Sequence, residues 1–391
     1  LVLVDDRTQA RRVEEVRRDF VVNVSHELKT PVGGLALLAE AVQNAADDPE
    51  AIARFAGRMK TETQRLTRLV SEIVDLSRLL PGFLRATEGS DVLVMGGGSV
   101  ITARESFRKP KMLSAQRRRG LQLAAVGVSI GPFPDKASED SAAAFLEHFS
   151  YIAVRDRRSH ELAVRMGLEK KTHHGRDLAG LLPLLVPRSD RNDRPRAADR
   201  LLRIGLAPCN YKTGSGYPAP DPETWQTGLI EALAKLARLR PLRVDVFSLN
   251  EHPTHGDYAL AQALRQALES RGITAETIRY RARSPLTIVE AIDACDAVFS
   301  ARLHGAIVAY LQGVPFTIID YHPKCQDFAQ DIGLADVRRI TADQQAAESF
   351  SAALDSMLGG TGEPTLSREI YARQTQDVFK CAPWATTGNT Q

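Results

Sequence analysis

The chain has 391 residues, enough for two or three domains. Its composition, 43% hydrophobic and 25% charged, excludes a disordered or collagen-like chain. A formal net charge of +3, from 51 basic and 48 acidic residues, gives no electrostatic reason to expect a nucleic-acid partner.

No apolar run approaches the roughly 18 residues of a membrane helix, so no membrane span is expected. The four cysteines, Cys209, Cys295, Cys325 and Cys381, form no CxxC pair. Neither a metal site nor a disulfide framework is therefore expected, and a cytoplasmic location is the simplest. The chain opens on Leu1 with no signal-peptide pattern after it, which reads as a fragment or a fusion.

Residues 1–80 read as an all-α helical hairpin. Val13, Val16, Phe20, Val24, Leu28, Leu35, Leu38 and Val42 recur at three- and four-residue steps, and a second such series runs from Ile52 to Leu80. Asp47-Asp48-Pro49-Glu50 between them supplies a stop, a cap and a helix-start proline. The apolar stripe exceeds what two helices can hide. A second copy of the hairpin completes a four-helix bundle, which predicts a homodimer.

After Leu80-Pro81-Gly82 the period changes. Short aliphatic runs at Asp91–Met95, Leu121–Ile130 and Tyr151–Val154 are followed by a charged, proline-bearing break at Pro187–Arg196. Further runs come at Leu202–Ala207, Arg243–Leu249, Ile273–Arg279, Ala297–Ser300 and Phe316–Asp320. Helical spacing follows several of them, as in Glu223–Leu239 and Asp257–Arg271. This alternation predicts an α/β fold of two units, at 82–190 and 197–380, each a parallel sheet covered by helices. Residues 383–391 read as a disordered tail.

Four clusters could carry chemistry. His26 and Glu27 lie side by side on the first helix; such a pair can serve as nucleophile and acid/base partner, or be a solvated face. Gly96-Gly97-Gly98 ends a strand, where glycines either cradle an anion or make a tight turn. Arg155-Asp156-Arg157-Arg158-Ser159 opens a helix, where Asp156 and Ser159 fit capping positions and the arginines could face an anion. Ser300-Ala301-Arg302-Leu303-His304-Gly305 lies between a buried strand and a helix that stops at Gly313-Val314-Pro315. Arg302 and His304 then sit at the carboxyl end of a sheet, where open α/β folds bind ligands. Arginine can fork onto a carboxylate or phosphate, and histidine has a pKa suited to proton transfer. The remaining histidines show no metal-ligand cluster.

Two resemblances follow. Ser25-His26-Glu27-Leu28-Lys29-Thr30-Pro31, with Phe20 and Asn23 before it, resembles the H-box of sensor histidine kinases over about residues 8–80. That implies His26 as phospho-acceptor, Glu27 as its acid/base partner and Thr30 as a residue positioning water, with a kinase or response regulator as partner. The family's ATP-binding motifs do not follow residue 80, so autophosphorylation by this chain alone is not expected.

The GGG strand, Val126–Phe133, the Val-Arg-Asp-x-x-Ser turn, the Ser-x-Arg-x-His-Gly motif with its Gly-Val-Pro, and Ile319–Lys324 resemble the polysaccharide pyruvyl transferase family. The resemblance runs from about Ser90 to Leu334. It implies two Rossmann-like domains of the GT-B kind, the first truncated because the helical hairpin stands where its first strands belong. It also implies transfer of pyruvate from phosphoenolpyruvate, as co-substrate and without another cofactor, to a saccharide acceptor as a ketal. His304 and Arg302 are then the catalytic candidates, and Arg155, Lys324, Gly97 and Gly98 the substrate-binding ones. The alternatives are a phosphotransfer and dimerisation module centred on His26, or a non-functional chimera.

Overall fold

A computed structural model describes residues 38–42, 48, 50–61, 63, 83–84, 86–102, 108–186, 201–211, 217–252, 256–382 and 384–385. His26, Glu27 and Thr30 lie outside these residues, as does most of the expected hairpin. Its described parts, 38–42 and 50–61, are helical. The Asp48 carboxylate accepts from the Ala51 amide at 3.0 Å, the cap that Asp-Asp-Pro-Glu predicts.

The chain divides into two compact units, Leu1–Leu93 with Arg104–Gln122, and Val94–Ala103 with Leu123–Gln391. The smaller holds the helical residues above, the start of strand β1 (Val92–Ile101) and helix α1 (Arg108–Arg119).

The larger unit contains two parallel sheets. Its first half comprises the rest of β1, β2 (Gln122–Ile130), α2 (Lys136–Leu146), β3 (Phe149–Val154), α3 (Arg157–Arg165), β4 (Thr172–His174) and the short α4 (Leu182–Leu185). The strands run in the order β1-β2-β3-β4, with β2, β3 and β4 parallel. Every residue of β2 after Gln122 is buried, as expected of a strand covered on both faces.

The second half holds β5 (Leu202–Ala207), α5 (Pro222–Ala237), β6 (Leu242–Ser248), α6 (Tyr258–Glu269), β7 (Thr274–Arg279), α7 (Leu286–Asp293) and β8 (Ala297–Ser300). It continues through α8 (Leu303–Gln312), β9 (Phe316–Ile319), α9 (Pro323–Ile332), β10 (Arg339–Ile340), α10 (Ala347–Gly359) and α11 (Arg368–Lys380). Its sheet order is β10-β9-β8-β5-β6-β7. The chain starts in the middle at β5, winds out to β7, returns to β8 beside β5, and winds out the other way. This is the doubly wound order, with its direction reversing between β5 and β8.

Physical causes are visible locally. Asp221 precedes Pro222 and caps the Thr224 amide at 2.9 Å, so α5 starts with a cap and a proline at the first helical position. Its buried face, Trp225, Leu229 and Leu233, packs into the same core as Ile204, Leu206 and Phe299. Each such side chain contributes about 1.5–3 kcal/mol when fully buried. Gly313, with φ of 65°, ends α8 in the left-handed conformation that glycine adopts without strain.

Helix α11 leaves the second half and packs against the first. The Tyr371 hydroxyl accepts from the Asp177 amide at 3.2 Å, Arg176 Nε donates to Gln374 at 2.8 Å, and the Tyr151 hydroxyl donates to the Val378 carbonyl. Trp384, in the stretch read as a tail, meets Tyr151 edge-on with ring centroids 5.9 Å apart.

The glycine run differs from expectation. Strand β1 continues through Ile101, so Gly97 and Gly98 lie within it and not at a turn into a helix. Their φ angles of 63° and 91° put a left-handed kink into the strand that a side-chain-bearing residue would strain to follow. Leu178 fills the space over Gly97, 3.7 Å from where a Cβ would stand.

Candidate active site

The loops after β5 and β8 meet at the point where strand order reverses. The amides of Ala301 and Arg302 both donate to the Ala207 carbonyl, at 2.9 and 3.2 Å, which ties the tip of β8 to the tip of β5. Arg302 then occupies the N-cap position of α8, which places His304 in the first helical turn.

Arg302 turns to Asp257. Its Nε and Nη2 donate to the two carboxylate oxygens at 2.7 and 2.6 Å, a bidentate pair on a wholly buried acid. Asp257 also accepts from the amides of Asn210 and Asn250, both at 3.1 Å, so one carboxylate joins the loops after β5, β6 and β8. Burial opposes the Arg302 charge, but the Asp257 pair together with nearby Cys209 and Tyr321 outweighs it, so its pKa moves up. Its second amino group, Nη1, has no hydrogen-bond partner among the described residues.

Arg155, directly after β3, is buried and fully engaged. Nε donates to Ser129 Oγ at 2.7 Å, Nη1 to Asp177 at 2.6 Å, and Nη2 to Ser99 Oγ at 3.0 Å. The neighbouring Asp156 caps α3 by accepting from the Ser159 amide at 2.8 Å. Ser159 Oγ in turn accepts from the Ile130 amide at 2.8 Å. The Val-Arg-Asp-x-x-Ser turn thus contains both readings at once: a helix cap, and an arginine aimed inward.

A crevice opens where the two halves meet. The first half lines it with Arg155, Asp156 and Asp177; Leu303, Ile307, Lys324, Phe328 and Asp331 from the second half, and Tyr371 from α11, complete the wall. His304 adjoins it, with Nε2 3.9 Å from Asp177 Oδ2, an ion-pair distance across the halves. The imidazole is 62% exposed, so water and solutes reach it even though protein surrounds it on several sides. That partial desolvation, with the charges of Arg155, Lys324 and Arg302, lowers its pKa against the opposing pull of Asp177. The side chain is therefore neutral at neutral pH, the form a general base requires.

Lys324 stands in the first turn of α9, its Nζ 5.4 Å from the Tyr321 ring centroid. It has no ion pair among the described residues. Desolvation lowers its pKa, and Arg302 and Arg155 lower it further by like-charge repulsion. His322 before it caps α9 by accepting the Lys324 amide on Nδ1 at 3.2 Å, and burial pushes its pKa down to about 4. An imidazole nitrogen that accepts must be unprotonated, so the two observations agree.

The structure therefore brings Arg155, Arg302, His304 and Lys324 to one place, while Gly97 lies under Leu178 and Gly98 beside Val100. Sequence reasoning missed Asp177 and Asp257. The signal for Asp177 is faint: an acid that follows a three-residue strand and caps the Ala179 amide at 2.9 Å. No group of three or more potential metal ligands occurs among the described residues. Nor, among them, is any helix long and apolar enough to cross a membrane.

Two halves built on parallel sheets, the second doubly wound with basic side chains gathered about a histidine at its switch point, define an α/β fold. Fold comparison agrees. A Listeria monocytogenes protein described as a UDP-N-acetylglucosamine 2-epimerase superposes with a TM-score of 0.52 at 14% identity, over 81% of this chain and 80% of that one. The chain belongs to the polysaccharide pyruvyl transferase family, whose sequence pattern matches residues 36–323.

The amino-terminal region is similar to something else. It is 52% identical over 79 residues to the sensor-like histidine kinase SenX3 of Mycolicibacterium smegmatis, covering 20% of this chain and 21% of that protein. It is 38% identical over 80 residues to the sensor protein kinase WalK of Staphylococcus aureus, covering 20% of this chain and 19% of that protein. The chain thus spans about a fifth of the length of these curated relatives.

Proposed function

We propose that this chain transfers the pyruvyl group of phosphoenolpyruvate to two hydroxyls of a saccharide, forming a cyclic ketal and releasing phosphate. The observation that carries the reading is the gathering of Arg155, Arg302 and Lys324 about an accessible His304, whose pKa burial and those charges move down. Phosphoenolpyruvate bears a carboxylate and a phosphate, and the free Lys324 ammonium and Arg302 Nη1 suit those charges.

The chemistry balances with one histidine. The first sugar hydroxyl bonds to C2 as His304 takes its proton and delivers it to the methylene carbon C3, which becomes a methyl group. The bond from C2 to the phosphate oxygen then breaks, its electron pair leaving with phosphate. The second hydroxyl closes the ketal, and its proton passes through His304 to the departing phosphate. Such a reading carries a cytoplasmic location with it, where phosphoenolpyruvate is available.

The test is phosphate release from phosphoenolpyruvate in the presence and absence of candidate saccharides. Release that depends on the acceptor, and falls about 10²- to 10⁴-fold in His304→Gln, is the expected result. An unchanged rate in that variant would overturn it.

Similarity of the first 80 or so residues to sensor histidine kinases favours a second, separate reading. His26 accepts phosphate from a partner kinase or response regulator, and the hairpin pairs with its copy. Phosphate transfer to the chain that survives His26→Gln, or a monomer at working concentration, would remove it.

A further inference from the structure

Asp177 belongs to neither the sequence-read site nor the proposed chemistry, yet more of the surrounding structure converges on it than on any candidate read from sequence. Its Oδ1 accepts the Ala179 amide at 2.9 Å and its Oδ2 takes Arg155 Nη1 at 2.6 Å. Its amide donates to the Tyr371 hydroxyl at 3.2 Å, and its carbonyl accepts Thr375 Oγ1 at 3.5 Å. The side chain is 8% exposed. Its position is therefore fixed from the loop itself, from the strand beside it and from α11. The same Oδ2 that Arg155 holds points at His304 Nε2 across the boundary between the halves, 3.9 Å away.

We infer that Asp177 is the positioning residue for His304: it keeps the imidazole proton on Nε2, so that Nδ1 is the nitrogen that receives the substrate proton. A neutral imidazole carries its hydrogen on one nitrogen, and a fixed carboxylate beside Nε2 selects that one. When Nδ1 takes a second proton, the ring becomes a cation and the contact with Asp177 tightens into a charge-assisted hydrogen bond. Tyr371 and Thr375 act one step further out, by holding the Asp177 backbone.

The charged groups facing His304 come from four elements. Asp177 after β4 favours the imidazolium; Arg155 after β3, Lys324 in α9 and Arg302 before α8 oppose it. Removing the favourable charge of Asp177 must lower the histidine pKa, and removing a merely structural residue need not.

The inference rests on the proposed reaction for its catalytic meaning, though its test does not. The full chain, labelled with 15N-histidine and with His304 assigned by loss of its signals in His304→Gln, gives both tautomer and pKa by NMR titration. The expected results are an Nε2–H tautomer in the parent and a His304 pKa lower by about one unit in Asp177→Asn, a tenfold change in protonation. Tyr371→Phe keeps the Asp177–Arg155 pair and should move the pKa in the same direction by less. It stands in if Asp177→Asn does not fold. In acceptor-dependent phosphate release, the acid limb of kcat/KM should move to lower pH by the same amount.

An Nδ1–H tautomer in the parent, or a His304 titration untouched by Asp177→Asn and Tyr371→Phe, would overturn the assignment. If the titration behaves as expected while phosphoenolpyruvate releases no phosphate, the Asp177–His304 pairing stands and the reaction reading falls.

Discussion

Each half of the larger unit places an arginine–aspartate pair at the carboxyl ends of its strands, and the two pairs differ in what they leave over. Arg302 and Asp257 satisfy one another twice, and two backbone amides complete the carboxylate, so this pair closes three loops of its own half. Arg155 meets Asp177 once and spends its other nitrogens on Ser129 and Ser99. The oxygen of Asp177 that Arg155 holds also faces the other half's histidine. The same chemistry serves in one place as a lock and in the other as a connection.

The largest effect should come from breaking the lock. Arg302→Ala strands Asp257, wholly buried, without a counter-charge, and loss of one partner of a buried pair costs about 3–5 kcal/mol. Urea unfolding should show it, and a midpoint within error of the parent would mean that the pair carries no structural weight.

Lys324→Gln comes next and separates binding from stability. It removes a cation that has no ion pair among the described residues, so unfolding should change little. KM for phosphoenolpyruvate should rise about 10- to 100-fold, the worth of a hydrogen bond to a charged group. A large loss of stability with KM unchanged would reverse the roles assigned to the two basic residues.

A subtler blow to the connection is Gly127→Ala. Gly127 has φ of 67°, and a Cβ there would stand 2.5 Å from Leu178 Cγ, one residue beyond Asp177. Strain at such a position costs of order 1–3 kcal/mol. Turnover should fall because Leu178 carries Asp177 with it, though no charge has changed; full turnover would detach Asp177 from catalysis.

The smallest effect concerns the acids at the boundary between the halves. Burial raises Asp331 to about 6 against the pull of Arg176, 3.2 Å away. A carboxyl whose folded pKa lies above its ordinary value contributes stability that is complete below that ordinary value. The contribution is lost as pH rises through about 6. Asp331→Asn does not titrate, so its melting temperature relative to the parent should climb between about pH 4 and pH 7. A constant difference across that range would show that the acid is not desolvated.

What the sequence reveals follows from how local each determinant is. Strands β5 and β8 match their apolar runs because a strand buried on both faces is written as a continuous aliphatic segment. Strands β4 and β10, of three and two residues, carry too few positions for any period to register. Arg302 and His304 were legible from the strand-to-helix junction that holds them. Their acids were not, since Asp257 lies 45 residues from Arg302 in sequence and meets it only after three loops have folded together. The glycine run misled because a kink inside a strand and a turn after one use the same residue.

Helix α11 is among the last elements of the chain, yet it fixes an acid laid down almost two hundred positions earlier. During synthesis both sheets can form before it exists, and domains do fold in order as the ribosome delivers them. A polypeptide halted short of Tyr371 would therefore have both halves and no aligned acid–base couple. Under the proposed reaction, alignment of that couple waits on α11.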